Sequence, residues 1–429
     1  MARSGPLHPH FHTRRALAAT FTLAVTLLAS SLGRVGVARA APSLLRASPV
    51  LGCTPGDVVH RLTPALVSIE PHPGFDPGTA SDALLRCYGY PLPPHDAIGR
   101  AQWTREMRRL HYVVPVLGTP FRNPDALASL PSDRTPHLFA PALTPASVRA
   151  RGRVHQMARG ALGTQSNALW AGPVATSNSN GGMLFTRADG QWTVPTMSYP
   201  PGYVEADAAA GAVSSWVGLG GDGIQNGYAR PNQVLWQAGV YTIIDPHHHF
   251  SDYWGSGYYW FFEDAGCDSD PYNSGHPCPY NGQEVLMMCA QPSVTGGDQV
   301  RVYVDGQQGT YFYANRTKAQ VTLVETVSID NSNTDLSAEF ITEAVGCDQG
   351  TCSNGFSPYP SWSDSDFTYE VVTSNDGSLH NIADLNYYTF ELCNNSTYGQ
   401  YISSVSYAGN GEFHETANPQ APYGSCSLP

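Results

Sequence analysis

The chain has 429 residues, of which 41% are hydrophobic and only 14% charged, with 42 glycines and 34 prolines. Its length leaves room for one large domain or two, each with an ample core, and its composition suits a strand-and-turn protein. The formal net charge of −12 divides into +5 over residues 1–40, +5 over 41–160 and −22 over 161–429, and so acidic a body argues against nucleic acid as a partner.

In chain order, Arg14-Arg15 precede an apolar run from Ala16 to Leu32, and Ala38-Arg39-Ala40 carries the small-x-small pattern of signal-peptidase sites. Residues 1–40 therefore read as a signal peptide, and the mature protein is expected to be secreted. The run is too short and too interrupted by Ser and Thr to span a membrane, and no other stretch is long and apolar enough. Residues 41–162 are rich in Pro and Arg. A helix is predicted over Ile98–Leu110, where Ile98, Trp103, Met107 and Leu110 recur at helical spacing. From Ser132 to Gly163 the chain reads as an exposed, cleavable joint containing Arg149-Ala150-Arg151-Gly152-Arg153. Two readings stand: an independent small domain or spacer, or a removable prosegment. The signal peptide upstream and the charge contrast downstream favour a prosegment that is clamped to the acidic body and inhibits it.

Over 163–429 short alternating runs lie between Gly, Asn, Ser and Pro turns. They cover 190–195, 214–219, 234–240, 258–262, 299–304, 309–313, 320–327, 336–342, 367–372 and 387–392. With almost no helical periodicity among them, this predicts an all-β protein, a large antiparallel β-sandwich of the lectin-like two-sheet kind. Nine cysteines in an exported chain point to disulfides. The pairs expected are 53 with 87, 267 with 278, 347 with 352 and 393 with 426, which leaves Cys289 over and buried.

Common hydrolase signatures are absent: no G-x-S-x-G elbow, no H-E-x-x-H helix, and no Asp-Thr-Gly or Asp-Ser-Gly. His247-His248-His249, preceded by Asp245-Pro246, reads as an exposed turn rather than a metal site. No metal and no cofactor are expected. The run Leu336-Ser337-Ala338-Glu339-Phe340-Ile341-Thr342-Glu343 alternates, so Glu339, Ile341 and Glu343 share a sheet face. Residues four apart on a strand are separated by about 13 Å, too far for a glycosidase pair, which would need a third acid such as Glu263. Glu343 reads as part of a solvated face. Upstream, Gln237 is the one long polar side chain in Val234–Val240.

Three segments, Ser214-Ser215-Trp216-Val217-Gly218-Leu219, Leu235-Trp236-Gln237-Ala238-Gly239 and Ala338-Glu339-Phe340-Ile341-Thr342-Glu343, resemble in order and spacing those of the eqolisin, or glutamic peptidase, family. Trp170-Ala171-Gly172 and Phe185 with Gly190-Gln191-Trp192-Thr193-Val194-Pro195 extend the likeness over roughly 165–350. The resemblance implies a two-sheet sandwich made as a zymogen, with Gln237 and Glu339 as the catalytic pair and polypeptides as substrates. It also implies that Trp216, Trp170 and Glu263 contact the substrate. A monomer is expected. The chain departs from the pattern in three places: Gly220 stands where the family has Asp, Phe261-Phe262-Glu263 stands for Trp-x-Glu, and Leu169 replaces an Asn. The competing class is a secreted lectin-like sandwich that binds or hydrolyses glycans. In that case two carboxylates would face each other across a cleft without Gln237.

Overall fold

Many of the strands bury both faces, so successive side chains go alternately to a core between two large sheets and to an apolar layer on the outside of each. The computed structural model describes residues 53–63, 66–118, 160–167, 170–198, 211–220, 235–244, 256–265, 285–326, 336–345, 361–392, 403–409 and 412–417. The first part contributes β1 (Val58–Arg61), β2 (Leu66–Glu70), α1 (Asp82–Cys87), α2 (Ala97–Arg109), β3 (His111–Tyr112) and β4 (Val116–Leu117). There follow β5 (Gly160–Asn167), β6 (Trp170–Thr176), β7 (Phe185–Thr193), β8 (Met197–Ser198), β9 (Gly211–Leu219), β10 (Leu235–Ile244), β11 (Gly257–Ala265) and β12 (Val285–Gln291). The chain continues through β13 (Gln299–Asp305), β14 (Thr310–Asn315), β15 (Gln320–Thr326), β16 (Ser337–Val345) and β17 (Ser361–Trp362). Last come β18 (Ser365–Ser374), β19 (Leu379–Asn381), β20 (Asn386–Leu392), β21 (Ser403–Gly409) and β22 (Glu412–Ala417).

An eleven-stranded sheet runs β1-β2-β15-β14-β13-β7-β18-β22-β21, with β19 beside β18 and β3 beside β15. A nine-stranded sheet runs β4-β12-β11-β10-β9-β16-β6-β20-β5. Two pairs, β3 with β15 and β5 with β20, are parallel, so the expected antiparallel sandwich is locally mixed. The end of the expected joint, Gly160–Gly163, forms the start of β5.

The core between the sheets takes alternate residues from both: Trp236, Ala238 and Val240 of β10, Ala338 and Phe340 of β16, and Val300, Val302 and Val304 of β13. The other parity points outward. On the nine-stranded sheet Leu235, Tyr241 and Ile243 join Trp170, Trp216, Phe261, Met288 and Ile341 in a second buried cluster. On the eleven-stranded sheet Tyr303, Phe312, Ala314, Val321 and Leu323 are covered by Ile69, Leu85, Tyr88, Tyr90, Trp103 and Met107. Each large side chain so buried stabilises the fold by ~1.5–3 kcal/mol.

The N-terminal residues thus add strands to both sheets. The helix predicted at Ile98–Leu110 is α2, whose N-cap Asp96 accepts from the Gly99 amide at 2.6 Å and which buries Trp103 and Met107. Among the described residues attachment is apolar; the rest of the expected clamp, with Arg46, Arg122, Arg134, Arg149, Arg151, Arg153 and Arg159, lies outside them. The ion pair that crosses from α2 to the body has the opposite polarity, Glu106 on the helix with Arg316 beyond β14. Arg108 instead pairs with Asp76 of its own segment at 2.6 Å. Cys53 and Cys87 form the expected disulfide, with their Cα atoms 5.7 Å apart, and Cys289 is a free, buried thiol as expected. The remaining cysteines and His247–His249 lie outside the described residues. Among the described residues no helix is long and apolar enough to cross a membrane.

Candidate active site

Register brings the sequence-distant residues of the motif onto one rung of the nine-stranded sheet. Glu263 of β11 lies opposite Gln237 of β10, Gln237 opposite Gly218 of β9, and Gly218 opposite Glu339 of β16. All four share the outward parity, on the face away from the inter-sheet core. Adjacent strands are about 4.8 Å apart, so Gln237 and Glu339 are separated at the backbone by about 9.6 Å across a residue with no side chain.

Gly218 is the point where neighbouring side chains close over the rung. A Cβ there would lie 2.6 Å from Trp216 Cζ3, 3.0 Å from Leu235 Cδ1 and 3.2 Å from Glu339 Oε2. The Glu339 carboxylate therefore leans over Gly218 towards Gln237. From the far side the Gln237 Nε2 donates to Glu263 Oε2 at 2.6 Å. Gln237, Glu263 and Glu339 are all buried, so an amide donor and two carboxyl groups stand on one rung away from bulk water.

The tryptophans form the next part of the same face. Trp216 packs across Gly239, where a Cβ would come within 2.6 Å of its own Cβ. Its Nε1 donates to Glu343 Oε2 at 2.9 Å. Trp170 meets Trp216 edge to face with ring centroids 5.0 Å apart. Both are fully buried, and both lie on this outer face rather than between the sheets.

Glu343 is not the solvated acid expected from sequence. It is 3% exposed, and burial, reinforced by the charge of Glu263, pushes its carboxyl well above the usual carboxylate range, against the opposing indole hydrogen bonds of Trp216 and Trp170. Glu343 at the end of this face and Gly218 at its centre are the residues that sequence reasoning passed over. Glu343 was signalled only by sharing the parity of Glu339, and Gly218 only by its place beside Trp216. Among the described residues no group of three or more His, Cys, Asp or Glu is arranged to hold a metal ion.

Comparison with known proteins adds an independent line. No curated protein matches the chain. Among solved structures, scytalido-glutamic peptidase with a transition state analog inhibitor is 17% identical, with a TM-score of 0.39 over 58% of this chain and 98% of that one. A second scytalido-glutamic peptidase complex, with a peptide-based transition state analog, gives 18% and 0.37 over the same shares. SCP-B, a member of the eqolisin family of peptidases, in complex with the tripeptide Ala-Ile-His, gives 17% and 0.36 over the same shares. The model of the Peptidase A4 family matches residues 168–415, more than half of the chain, and this span contains β6, β7, β9, β10, β11 and β16 whole. The chain belongs to the Peptidase A4 family, that of the eqolisins, and is a peptidase.

Proposed function

We propose that the chain is a secreted acid endopeptidase of the glutamic type, in which Glu339 and Gln237 act on a water held between them. The observation that carries this reading is the rung itself, an acid and a neutral amide on either side of a glycine over which the Glu339 carboxyl reaches.

In the first step the Glu339 carboxylate takes a proton from the water as its oxygen attacks the peptide carbonyl. The carbonyl oxygen becomes an oxyanion. The second Nε2 hydrogen of Gln237, the one not given to Glu263, stabilises it, a contribution of ~3–4 kcal/mol for one such donor in a dry site. Protonated Glu339 then passes its proton to the leaving nitrogen as the C–N bond breaks. An amide donor keeps its hydrogens at any pH, whereas a carboxylate base is lost below its pKa, ordinarily about 4.3. The pair therefore suits mildly acidic conditions. Trp216 and Trp170 would form the apolar wall against the substrate chain.

The glycan reading has less support. Glu263 and Glu339 are three strands, about 14 Å, apart at the backbone, and Gln237 stands between them bonded to Glu263. For the N-terminal region we keep export through residues 1–40 and processing within 41–162 as part of the proposal, with one refinement. Residues 53–112 cover the outer face of the eleven-stranded sheet and β4 pairs with β12 at the edge of the nine-stranded one, so inhibition of the rung by these residues would be exerted through the fold rather than by standing over Gln237 and Glu339. The test is kcat/KM on a fluorogenic peptide from pH 2 to 8. A maximum in the acid range is expected, and a neutral optimum with little turnover at pH 3–4 would refute the acid assignment.

A further inference from the structure

A glutamine makes a useful oxyanion donor only if its amide is held the right way round. The terminal torsion of the side chain is broad and roughly two-fold, so nothing within Gln237 distinguishes a pose that offers Nε2 to the substrate from one that offers Oε1. The wrong pose would set a carbonyl oxygen against the oxyanion. Some neighbour has to break that symmetry, and on this rung the neighbour is on the next strand.

Glu263 lies directly opposite Gln237 in the β10–β11 ladder, and its Oε2 accepts from Gln237 Nε2 at 2.6 Å. Both side chains are 1% exposed. A carboxylate only accepts, so it selects the nitrogen of the facing amide and rejects the oxygen. The bond is desolvated, so water does not compete for the amide. It uses one of the two Nε2 hydrogens and leaves the other, while Gln237 Oε1 has no hydrogen-bond partner among the described residues. No competing donor there offers the flipped amide a reward.

We propose that Glu263 is the positioning residue of Gln237: it fixes the amide with Nε2 towards the oxyanion site and acts on the reaction only through that amide. This rests on the peptidase reading above and assigns Glu263 a role other than the substrate contact expected from the motif.

The test is a cycle of four full-length chains, wild type, Glu263→Gln, Gln237→Ala and the double variant, measured for kcat and KM on one peptide. Removing an oxyanion donor outright costs ~10²–10³ in kcat, which bounds the effect of misaligning it. Glutamine at 263 can accept or donate, so the Gln237 amide becomes two-fold degenerate, and about a tenfold loss of kcat with unchanged KM is expected. In the Gln237→Ala background the same change should cost nothing further. Losses that multiply in the double variant, or a rise in KM with kcat intact, would overturn the proposal and return Glu263 to substrate contact. Should Glu263→Gln fail to fold by circular dichroism, Glu263→Asp, which keeps the charge but withdraws it by one methylene, is read in the same cycle. Full activity of Gln237→Ala alone would sink the peptidase reading itself, an outcome distinct from failure of the Glu263 assignment.

Discussion

The two sheets both bury charged residues on their outer faces, and they treat them in opposite ways. On the outer face of the eleven-stranded sheet the two buried arginines each meet an aspartate. Arg187 reaches Asp305 through Nε and Nη2 at 3.0 and 2.5 Å, and Arg301 reaches Asp189 at 2.9 and 2.7 Å. Each guanidinium also stacks on a tyrosine, Arg187 at 4.6 Å from the Tyr303 centroid and Arg301 at 4.3 Å from that of Tyr369. On the nine-stranded sheet three glutamates, 263, 339 and 343, share one face. Residues 161–429 contain only five Lys and Arg. Two form the Arg187 and Arg301 pairs, and two more, Arg316 and Lys318, pair with Glu106 and Asp298 on the eleven-stranded side; Arg230 lies outside the described residues. Paired charges give one sheet a fixed register. On the other, burial and the charge of Glu263 raise the Glu343 carboxyl, so that face holds a proton readily at Glu343.

This contrast can be broken at several points. The largest effect is expected on the rung. Gly218→Ala would set a methyl against Trp216, Leu235 and the Glu339 carboxyl, displacing the proposed base, and kcat should fall by at least the ~10²-fold that a misplacement of about 1 Å costs. A melt close to wild type alongside lost turnover would place the damage in the site. Arg301→Ala attacks the other face. It leaves Asp189 buried and unpaired, a loss of ~3–5 kcal/mol by denaturant titration, while kcat of the folded fraction should be unchanged. If kcat fell with stability, the two faces would not be separable in the way described.

Acid and base should also act differently on the two regions. Glu370 of β18 lies opposite Gly190, whose Cα faces Val217 and Phe340 of the inter-sheet core, and neither of its oxygens has a hydrogen-bond partner among the described residues. Burial pushes its carboxyl well above the usual range, as it does for Glu343. A raised folded-state value means that the folded protein binds the proton more tightly. The stability this brings is complete below the unfolded value near 4.3 and is lost as pH rises towards the folded one, by at most ~1.4 kcal/mol per pH unit for each group. Glu370→Gln should therefore flatten the fall in Tm between pH 5 and 8, and an unchanged slope would count against it.

The N-terminal segment has the reverse sign. Asp57 suffers desolvation, but hydrogen bonds from the Tyr88 hydroxyl, from Thr54 and from the Cys53 amide outweigh it and bring its carboxyl down to about 2. Its contribution is present above the unfolded value and is lost as pH falls from about 4 to about 2. Hydrogen exchange over 53–118 should quicken in that window in wild type, the smallest of these effects, and show no such window in Asp57→Asn.

Much of this was legible in the sequence because strand alternation is a local signal. All ten predicted runs fall on observed strands, and the parity of Leu336–Glu343 placed Glu339, Ile341 and Glu343 on one face, as found. Two of the strands overlooked lack alternation. β6 is buried at every position, and β12 is a continuous Leu-Met-Met-Cys-Ala run. The solvated reading of Glu343 failed for a related reason, since parity says which face a residue takes but not that an aromatic layer covers that face. The N-terminal region looked like a linker because its strands are two to five residues long and its charge contrast suggested electrostatic attachment, whereas Trp103, Met107, Tyr88 and Tyr90 hold it by apolar burial. The convergence of Gln237 with Glu339 came from motif resemblance, because sheet register between strands about a hundred residues apart leaves no local trace.

The most direct measurement is digestion of a denatured protein substrate across pH 2–7 by wild type and Glu339→Gln side by side, with both chains shown folded. The account predicts acid-dependent cleavage by wild type and a loss of ~10²–10⁴ in rate for the variant at every pH. Cleavage by the variant at the wild-type rate would contradict it.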